Sequence, residues 1–298
     1  MKIIDPHLHL FDLKQGDYHW LKEDNPPFWP DKYLINKTFK ETDLTLKPSF
    51  TLNHFIHIEA GFDNQQPWRE LITLQQNCKT PFRAIAAINL TLSSQKFNEC
   101  LEKLIELDSF IGVRHLLDEQ ALSLLTSEQV LTNLTKLNDT AKQKSRPLIF
   151  ETQLPLAENT FIDALCYLIN TNPNITFIIN HAGFPPTNIH SDEWQHWQSN
   201  LLRLAAYSHV AIKCSGWEMT KRQYTQDWLA YNLTTIFEAF GLNRMMMASN
   251  FPLCLFSHDS YQSYWHSITE NHFFQTLSEQ EKSALFYDNA LRWYAINC

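Results

Sequence analysis

Glycine is scarce in this chain, with six residues in 298. No G-x-G-x-x-G follows any apolar run, so the phosphate-cradling turn of an open dinucleotide-binding sheet has no candidate. The six cysteines (78, 100, 166, 214, 254 and 298) never fall in a C-x-x-C pattern, which argues against a stapled scaffold and for reduced thiols in a cytoplasmic protein. Cys214 and Cys254 sit in apolar runs and read as core residues on strands. No apolar run approaches the roughly 20 residues that span a bilayer. The opening Met1-Lys2-Ile3-Ile4-Asp5-Pro6-His7 turns polar at once, so no secretory leader is expected. Basic clusters are missing too. Lys and Arg number 24 against 32 Asp and Glu, a formal charge of −8, which makes nucleic acid and anionic membrane surfaces poor partners. No repeat, low-complexity tract or Pro/Gly/Ser linker divides the chain, so one domain over residues 1–298 is expected.

What is present is a steady alternation. Short apolar runs at 2–4, 54–58, 82–88, 111–114, 147–150, 175–179, 210–213 and 245–248 are β-branched or uniformly apolar, as parallel strands covered on both faces require. Between them, 68–78, 96–107, 129–142, 161–169, 194–207 and 226–240 carry apolar residues at three- and four-residue spacing and predict helices. Two starts, Thr126-Ser127-Glu128-Gln129 and Ser278-Glu279-Gln280-Glu281, fit the capping-box pattern. Eight strands alternating with helices predict a (β/α)8 TIM barrel. The stretch 11–50 breaks the rhythm with Tyr18, Trp20, Pro26-Pro27, Phe28, Trp29 and Tyr33. It predicts a packed loop at the catalytic end of the barrel, serving as a lid or a plain cover. The helix with Trp194, His196 and Trp197 could form a homo-oligomer surface; packing of that helix on the barrel is the preferred reading.

The chemistry-bearing residues gather at strand ends. His7 and His9 flank Leu8, so side-chain alternation points both imidazoles inward at the end of the first strand. Two neutral imidazoles there can bind a divalent metal or hold a polar substrate. His181 follows the sixth strand and brings a third. Arg114 ends the fourth strand beside His115; its guanidinium needs an anion, either a substrate carboxylate or a structural partner such as Glu59 or Glu151. Glu59 and Glu151 end strands two and five, and buried carboxylates must face a cation, a metal or a donor. Lys213, ending strand seven, is one such partner, and Trp217 beyond it is a pocket wall or ordinary packing.

Taken in order, Ile4-Asp5-Pro6-His7-Leu8-His9-Leu10-Phe11-Asp12, Gly16-Asp17-Tyr18-His19-Trp20-Leu21, Gly112-Val113-Arg114-His115, Asn180-His181-Ala182-Gly183-Phe184-Pro185, Lys213-Cys214-Ser215-Gly216, Ala248-Ser249-Asn250-Phe251-Pro252 and Asn289-Ala290-Leu291-Arg292-Trp293-Tyr294 run the length of the chain. In this arrangement the sequence resembles the amidohydrolase superfamily, and more narrowly its TIM-barrel branch of sugar lactonases and 2-pyrone-4,6-dicarboxylate lactonase. The resemblance implies a hydrolase acting on a lactone or related cyclic ester or amide that bears carboxylates or hydroxyls. It implies catalytic roles for His181, Arg114 and the residue at position 250. It also implies substrate contacts from Arg114, His115, Glu59, Trp217 and Lys213. A catalytic zinc takes about three protein ligands and one open position, and His7, His9 and one of Glu151 or His181 could supply them.

One departure stands out. The family's strand-8 motif is Ser-Asp-x-Pro, with the Asp as general base and, in metal-bound members, a ligand; this chain has Ser249-Asn250-Phe251-Pro252. An amide does not take up a proton near neutral pH, and general-base help is typically worth ~10²–10⁴ in rate. Three readings follow: a small-molecule binder that scarcely turns over, an enzyme using another base (His181, His115, Glu59 or Glu151), or different chemistry in the same barrel.

Overall fold

The structure, a computed structural model, describes residues 1–144 and 147–296; Cys298 lies outside the described residues. The predicted barrel is what forms. Its strands are β1 (Lys2–Leu8), β2 (Thr51–Ile58), β3 (Phe82–Ala87), β4 (Phe110–Arg114), β5 (Leu148–Thr152), β6 (Ile175–Ile179), β7 (Val210–Cys214) and β8 (Met245–Met247). They pair in parallel in sequence order. Beyond β8 the main chain completes the ring, with Asn250 N–H donating to His7 C=O at 2.8 Å and His9 N–H to Phe251 C=O at 2.7 Å. The outer layer comprises α1 (Trp68–Asn77), α2 (Ser94–Ile105), α3 (Ala121–Leu125), α4 (Glu128–Lys144), α5 (Asn159–Thr171), α6 (Asp192–Ala205), α7 (Trp217–Thr220), α8 (Gln226–Phe240), α9 (Tyr261–Thr269), α10 (His272–Gln275), α11 (Glu279–Ser283) and α12 (Asn289–Trp293).

Strand alternation explains the two layers of core. Every strand sends a residue into the interior cluster, Ile4, Ile85, Ile111, Ile149, Ile178, Ala211 and Met246 singly and β2 both Ile56 and Ile58, with Tyr294 and Ile296 packed on it from the C-terminal segment. The remaining apolar residues fill the space between strands and helices. Gly112 is required on β4, because a Cβ there would stand 2.3 Å from the Ile149 carbonyl oxygen of β5.

Several boundaries differ from the sequence reading for local reasons. The first strand continues through Asp5-Pro6-His7 to Leu8, since these residues stay extended and buried. The Ser278 box forms, its hydroxyl accepting from Glu281 N–H and the Glu281 carboxylate from Ser278 N–H. At the other predicted box, the Thr126 hydroxyl donates to the Leu122 carbonyl of α3, and the Gln129 amide reaches Ser94 and Asn133. Cys214 lies on β7, but Cys254 sits in the short turn Leu253–Phe256 past β8 rather than on a strand. In α6 both Trp194 and Trp197 are buried, and Trp197 Nε1 donates to the Ala182 carbonyl at 2.9 Å, so this face packs on the barrel. Among the described residues no helix is long and apolar enough to cross a membrane.

Candidate active site

Three imidazoles delivered by β1 and by the turn after β6 meet at one end of the barrel. The ring centroids of His7 and His181 lie 4.6 Å apart, and those of His7 and His9 5.1 Å apart. All three rings are buried, and His9 and His181 keep 7% and 5% of their surface exposed, enough to mark the edge of the cluster facing outward. Gly216 makes room for this packing: its φ of +68° favours glycine, and a Cβ would fall 2.4 Å from His181 Nδ1. His181 Nδ1 sits 3.2 Å from the Ser215 hydroxyl.

The hydrogen bonds set the tautomers. His9 Nδ1 faces the Ile58 carbonyl at 2.8 Å, so Nδ1 carries the proton and Nε2 keeps its lone pair. His7 is arranged the other way. The Lys213 ammonium donates to His7 Nδ1 at 3.3 Å, which leaves the proton on Nε2, and that buried N–H has no partner among the described residues. Burial holds all three imidazoles well below the ordinary histidine range. Lys213 reinforces this at His7, and Arg114 at His9 and His181.

The two cations of the mouth are already paired. Lys213 donates to Glu151 Oε1 at 2.5 Å, and the Tyr294 hydroxyl reaches the same oxygen at 2.7 Å; Lys213 and Glu151 are both fully buried. Burial lowers the Lys213 pKa to about 8 against the pull of Glu151. Arg114 grips Glu59 through Nε at 2.8 Å and Nη2 at 2.7 Å, and its Nη1 reaches Gln153. Burial raises the Glu59 carboxyl despite Arg114. The structure therefore chooses Glu59 as the Arg114 partner and Glu151 as that of Lys213. His115 turns aside, its Nδ1 accepting from Leu90 N–H at 2.9 Å on the loop after β3. Trp217 is fully buried, with its indole N–H unpartnered among the described residues.

Asn250 follows β8 with φ +58°. Its Nδ2 donates to Glu218 Oε1 of α7 at 2.6 Å, while Asn250 Oδ1 and Glu218 Oε2 are buried without partners among the described residues. Burial raises the Glu218 carboxyl to about 7. Sequence reasoning missed Glu218; its only signal is a carboxylate two residues past Gly216 in an otherwise apolar turn. It also missed Ser215, Tyr294 and Asn180, whose amide is buried and unpartnered among the described residues.

The aromatic segment 11–50 covers this end. Trp20 Nε1 donates to the Ala60 carbonyl at 2.7 Å, and Trp20 packs edge-on to Trp29. Arg222, just past α7, bonds Asp31 at 2.7 Å, lies 4.1 Å over Phe256 and 5.4 Å over Trp29, and donates to the Glu218 main-chain oxygen. Phe28 and Tyr33, expected within a packed loop, are instead 73% and 72% exposed.

The expected metal set is His7, His9, Glu151 and His181. Among the described residues, no three His, Cys, Asp or Glu side chains are placed to hold a metal ion together. The donor chemistry explains why: His7 carries its proton on the free nitrogen, and the Lys213 ammonium already sits against both His7 and Glu151. The residues as arranged do not fit a three-ligand centre.

An amidohydrolase family profile matches residues 4–296. The chain is 28% identical to protein y4mH of Sinorhizobium fredii over 99% of this chain and 98% of that protein. It is 31% identical to an L-fucono-1,5-lactonase of Burkholderia multivorans over half of each chain. Among solved structures it resembles an amidohydrolase from Burkholderia multivorans with bound HEPES (TM-score 0.80, 19% identity, all of both chains). A second crystal form of that target, with bound zinc, gives a TM-score of 0.79 at 18% identity, again over all of both chains. A probable 2-pyrone-4,6-dicarboxylic acid hydrolase from Acinetobacter baumannii, with citric acid bound, scores 0.70 at 16% identity over 99% of this chain and all of that one. This chain belongs to the amidohydrolase family.

Proposed function

We propose that the protein is a cytoplasmic hydrolase that opens a lactone or related cyclic ester at the barrel mouth, using its own side chains rather than a metal. The observation that carries this reading is the contrast in Nδ1 partners, a main-chain carbonyl at His9 and the Lys213 ammonium at His7, from which opposite tautomers follow. The free Nε2–H of His7 is a donor for the oxygen of a polarised carbonyl. The Nε2 lone pair of His9 is an acceptor for the proton of an attacking water, with its basicity lowered by burial. Water oxygen bonds the carbonyl carbon while its proton passes to His9. The tetrahedral intermediate then expels the ring oxygen, which recovers that proton and leaves a hydroxy acid. Lys213 holds His7 in the donating tautomer, and Arg114 is held by Glu59 at the end of β4. The free thiols at 78, 100, 166, 214 and 254 support a reducing compartment. A structural relative has been crystallised with bound zinc; in this chain the Lys213 ammonium lies against His7 and Glu151, two of the side chains expected to hold a metal.

A second reading, a small-molecule binder that does not turn over, is favoured by Asn250, whose amide is tied to Glu218. A panel of sugar 1,5-lactones separates the two. The wild type should hydrolyse at least one, His7→Ala should lose about 10²–10³ in rate, and Asn250→Asp should raise the rate. Absence of turnover in both the wild type and Asn250→Asp, with binding by calorimetry, would establish the binder.

A further inference from the structure

A second cavity lies between the covering segment and α1, and none of His7, His9 and His181 lines it. It occupies about 380 Å³, within the range of small-molecule sites. Its floor is buried. The rings of Phe11, Tyr18, Phe39 and Phe62 and the Leu74 side chain make apolar walls, and Glu70 of α1 is the charged group set among them. Its rim is made of exposed side chains, Gln15, Lys40, Thr42, Asn77 and Lys79, so the cavity is open to solvent with the covering segment in place.

The Glu70 carboxylate is only half engaged. Its Oε1 accepts from Ala60 N–H at 2.9 Å and stands 3.0 Å from His57 Nε2, while Oε2 has no donor among the described residues. Leu10 N–H donates to His57 Nδ1 at 3.4 Å, which puts the His57 proton on Nε2 and leaves that ring neutral. No lysine or arginine among the described residues pairs with Glu70, whose one ion-pair contact is this imidazole. At the rim, Asp12 and Glu41 match Lys40 and Lys79 in number, and Lys40 Nζ lies 4.0 Å from Asp12 Oδ2, so the surplus charge of the cavity is Glu70. Burial above all, and the Glu70 charge after it, raise the Tyr18 phenol against the Asp12 N–H that it accepts. A buried carboxylate is costly without a cation. Aromatic faces around it suit an organic cation better than a hydrated metal ion.

We infer that this cavity is a second ligand site, distinct from the imidazole cluster, and that it takes an arylalkylamine in its ammonium form. The ammonium donates to Glu70 Oε2, and the aromatic ring lies among Phe11, Phe39 and Phe62. The other Glu70 oxygen goes on holding Ala60, next to Glu59, and His57 goes on holding Leu10, next to His9. A ligand here therefore shares a carboxylate with the main chain beside two side chains of the candidate active site.

The test is calorimetric binding, to the full chain, of three indoles of matched size: tryptamine, its alcohol analogue tryptophol, and indole-3-propionate. The wild type should bind tryptamine at least about ten-fold more tightly than either of the others, as expected for a hydrogen bond to a charged group. Thr73→Trp fills the cavity from α1 with Glu70 left in place, and should weaken tryptamine by about ten-fold or more. Glu70→Gln should bring tryptamine down to the affinity of tryptophol; if that variant does not fold, Thr73→Trp decides alone. No tryptamine binding by the wild type, equal or tighter binding of tryptophol or indole-3-propionate, or tryptamine binding unchanged in either folded variant would overturn the inference.

Discussion

Replacing Arg222 by alanine would cut the strap that holds the aromatic segment over the barrel mouth. Besides the donation to the Glu218 main-chain oxygen at the end of α7, three contacts around the covering segment are lost: a two-point pair with Asp31 at 2.7 and 3.4 Å, a cation–π contact with Phe256 at 4.1 Å, and a weaker one with Trp29 at 5.4 Å. The ion pair is about a quarter exposed on each side, so it is worth at most about 1 kcal/mol. The ring contacts add about 0.5–1 kcal/mol. Together these amount to about 1–2 kcal/mol, or roughly a 5- to 30-fold shift in a local opening equilibrium. Opening should stay local. Trp20 remains tied to Ala60, and Phe11 and Phe39 exchange main-chain bonds at 2.9 and 3.0 Å, so the ends of the segment stay fixed. The assay is amide hydrogen exchange, which reports such openings directly. Protection across residues 25–36 should fall by that factor, while β1–β8 keep their protection. Unchanged exchange in 25–36, or a loss spread evenly over the barrel, would refute the strap.

The other predictions concern the buried charges and the histidine packing. Lys213→Met should destabilise the fold by about 3–5 kcal/mol in urea unfolding, since Glu151 is left buried without its cation; adding Glu151→Gln should recover much of that loss. Lys213 sheds its proton near pH 8 in the folded chain and near its ordinary 10.5 when unfolded. Between those values the unfolded state binds more protons, so this group's contribution to stability rises with pH; the slope should be absent from Lys213→Met over pH 8–10.5. Gly216→Ala places a methyl against the His181 ring in a left-handed backbone, costing about 1–3 kcal/mol in thermal or urea unfolding. Lactone turnover should fall further than stability does, and an unperturbed rate would show that the His181 position is immaterial.

The barrel was legible because its strands are short, apolar and separated by helical periodicity; Ile175–Ile179 and Gln226–Phe240 fall where the pattern puts them. The ends were less so. The first apolar run stops at residue 4, yet Asp5 is buried and bonded to Ser249 and Tyr261, and β1 runs on past it because those distant donors satisfy its carboxylate. In the same way, local pattern places His7, His9 and His181 at strand ends but carries nothing of partner choice. Which acid pairs with Arg114, which imidazole nitrogen keeps its proton and where Asn250 points all depend on side chains 30 to more than 200 positions away. Glu218 stayed invisible because its partner lies on another loop.

The Tyr294 hydroxyl rises through the barrel interior to Glu151. A growing chain that has completed all eight strands therefore still has an unfinished candidate site, with the Lys213–Glu151 pair short of one donor until residue 294 has been synthesised. Completion of the candidate site thus waits on the C-terminal segment, and truncations that remove residue 294 would disturb the Lys213–Glu151 pair together with the interior layer on which Tyr294 and Ile296 pack.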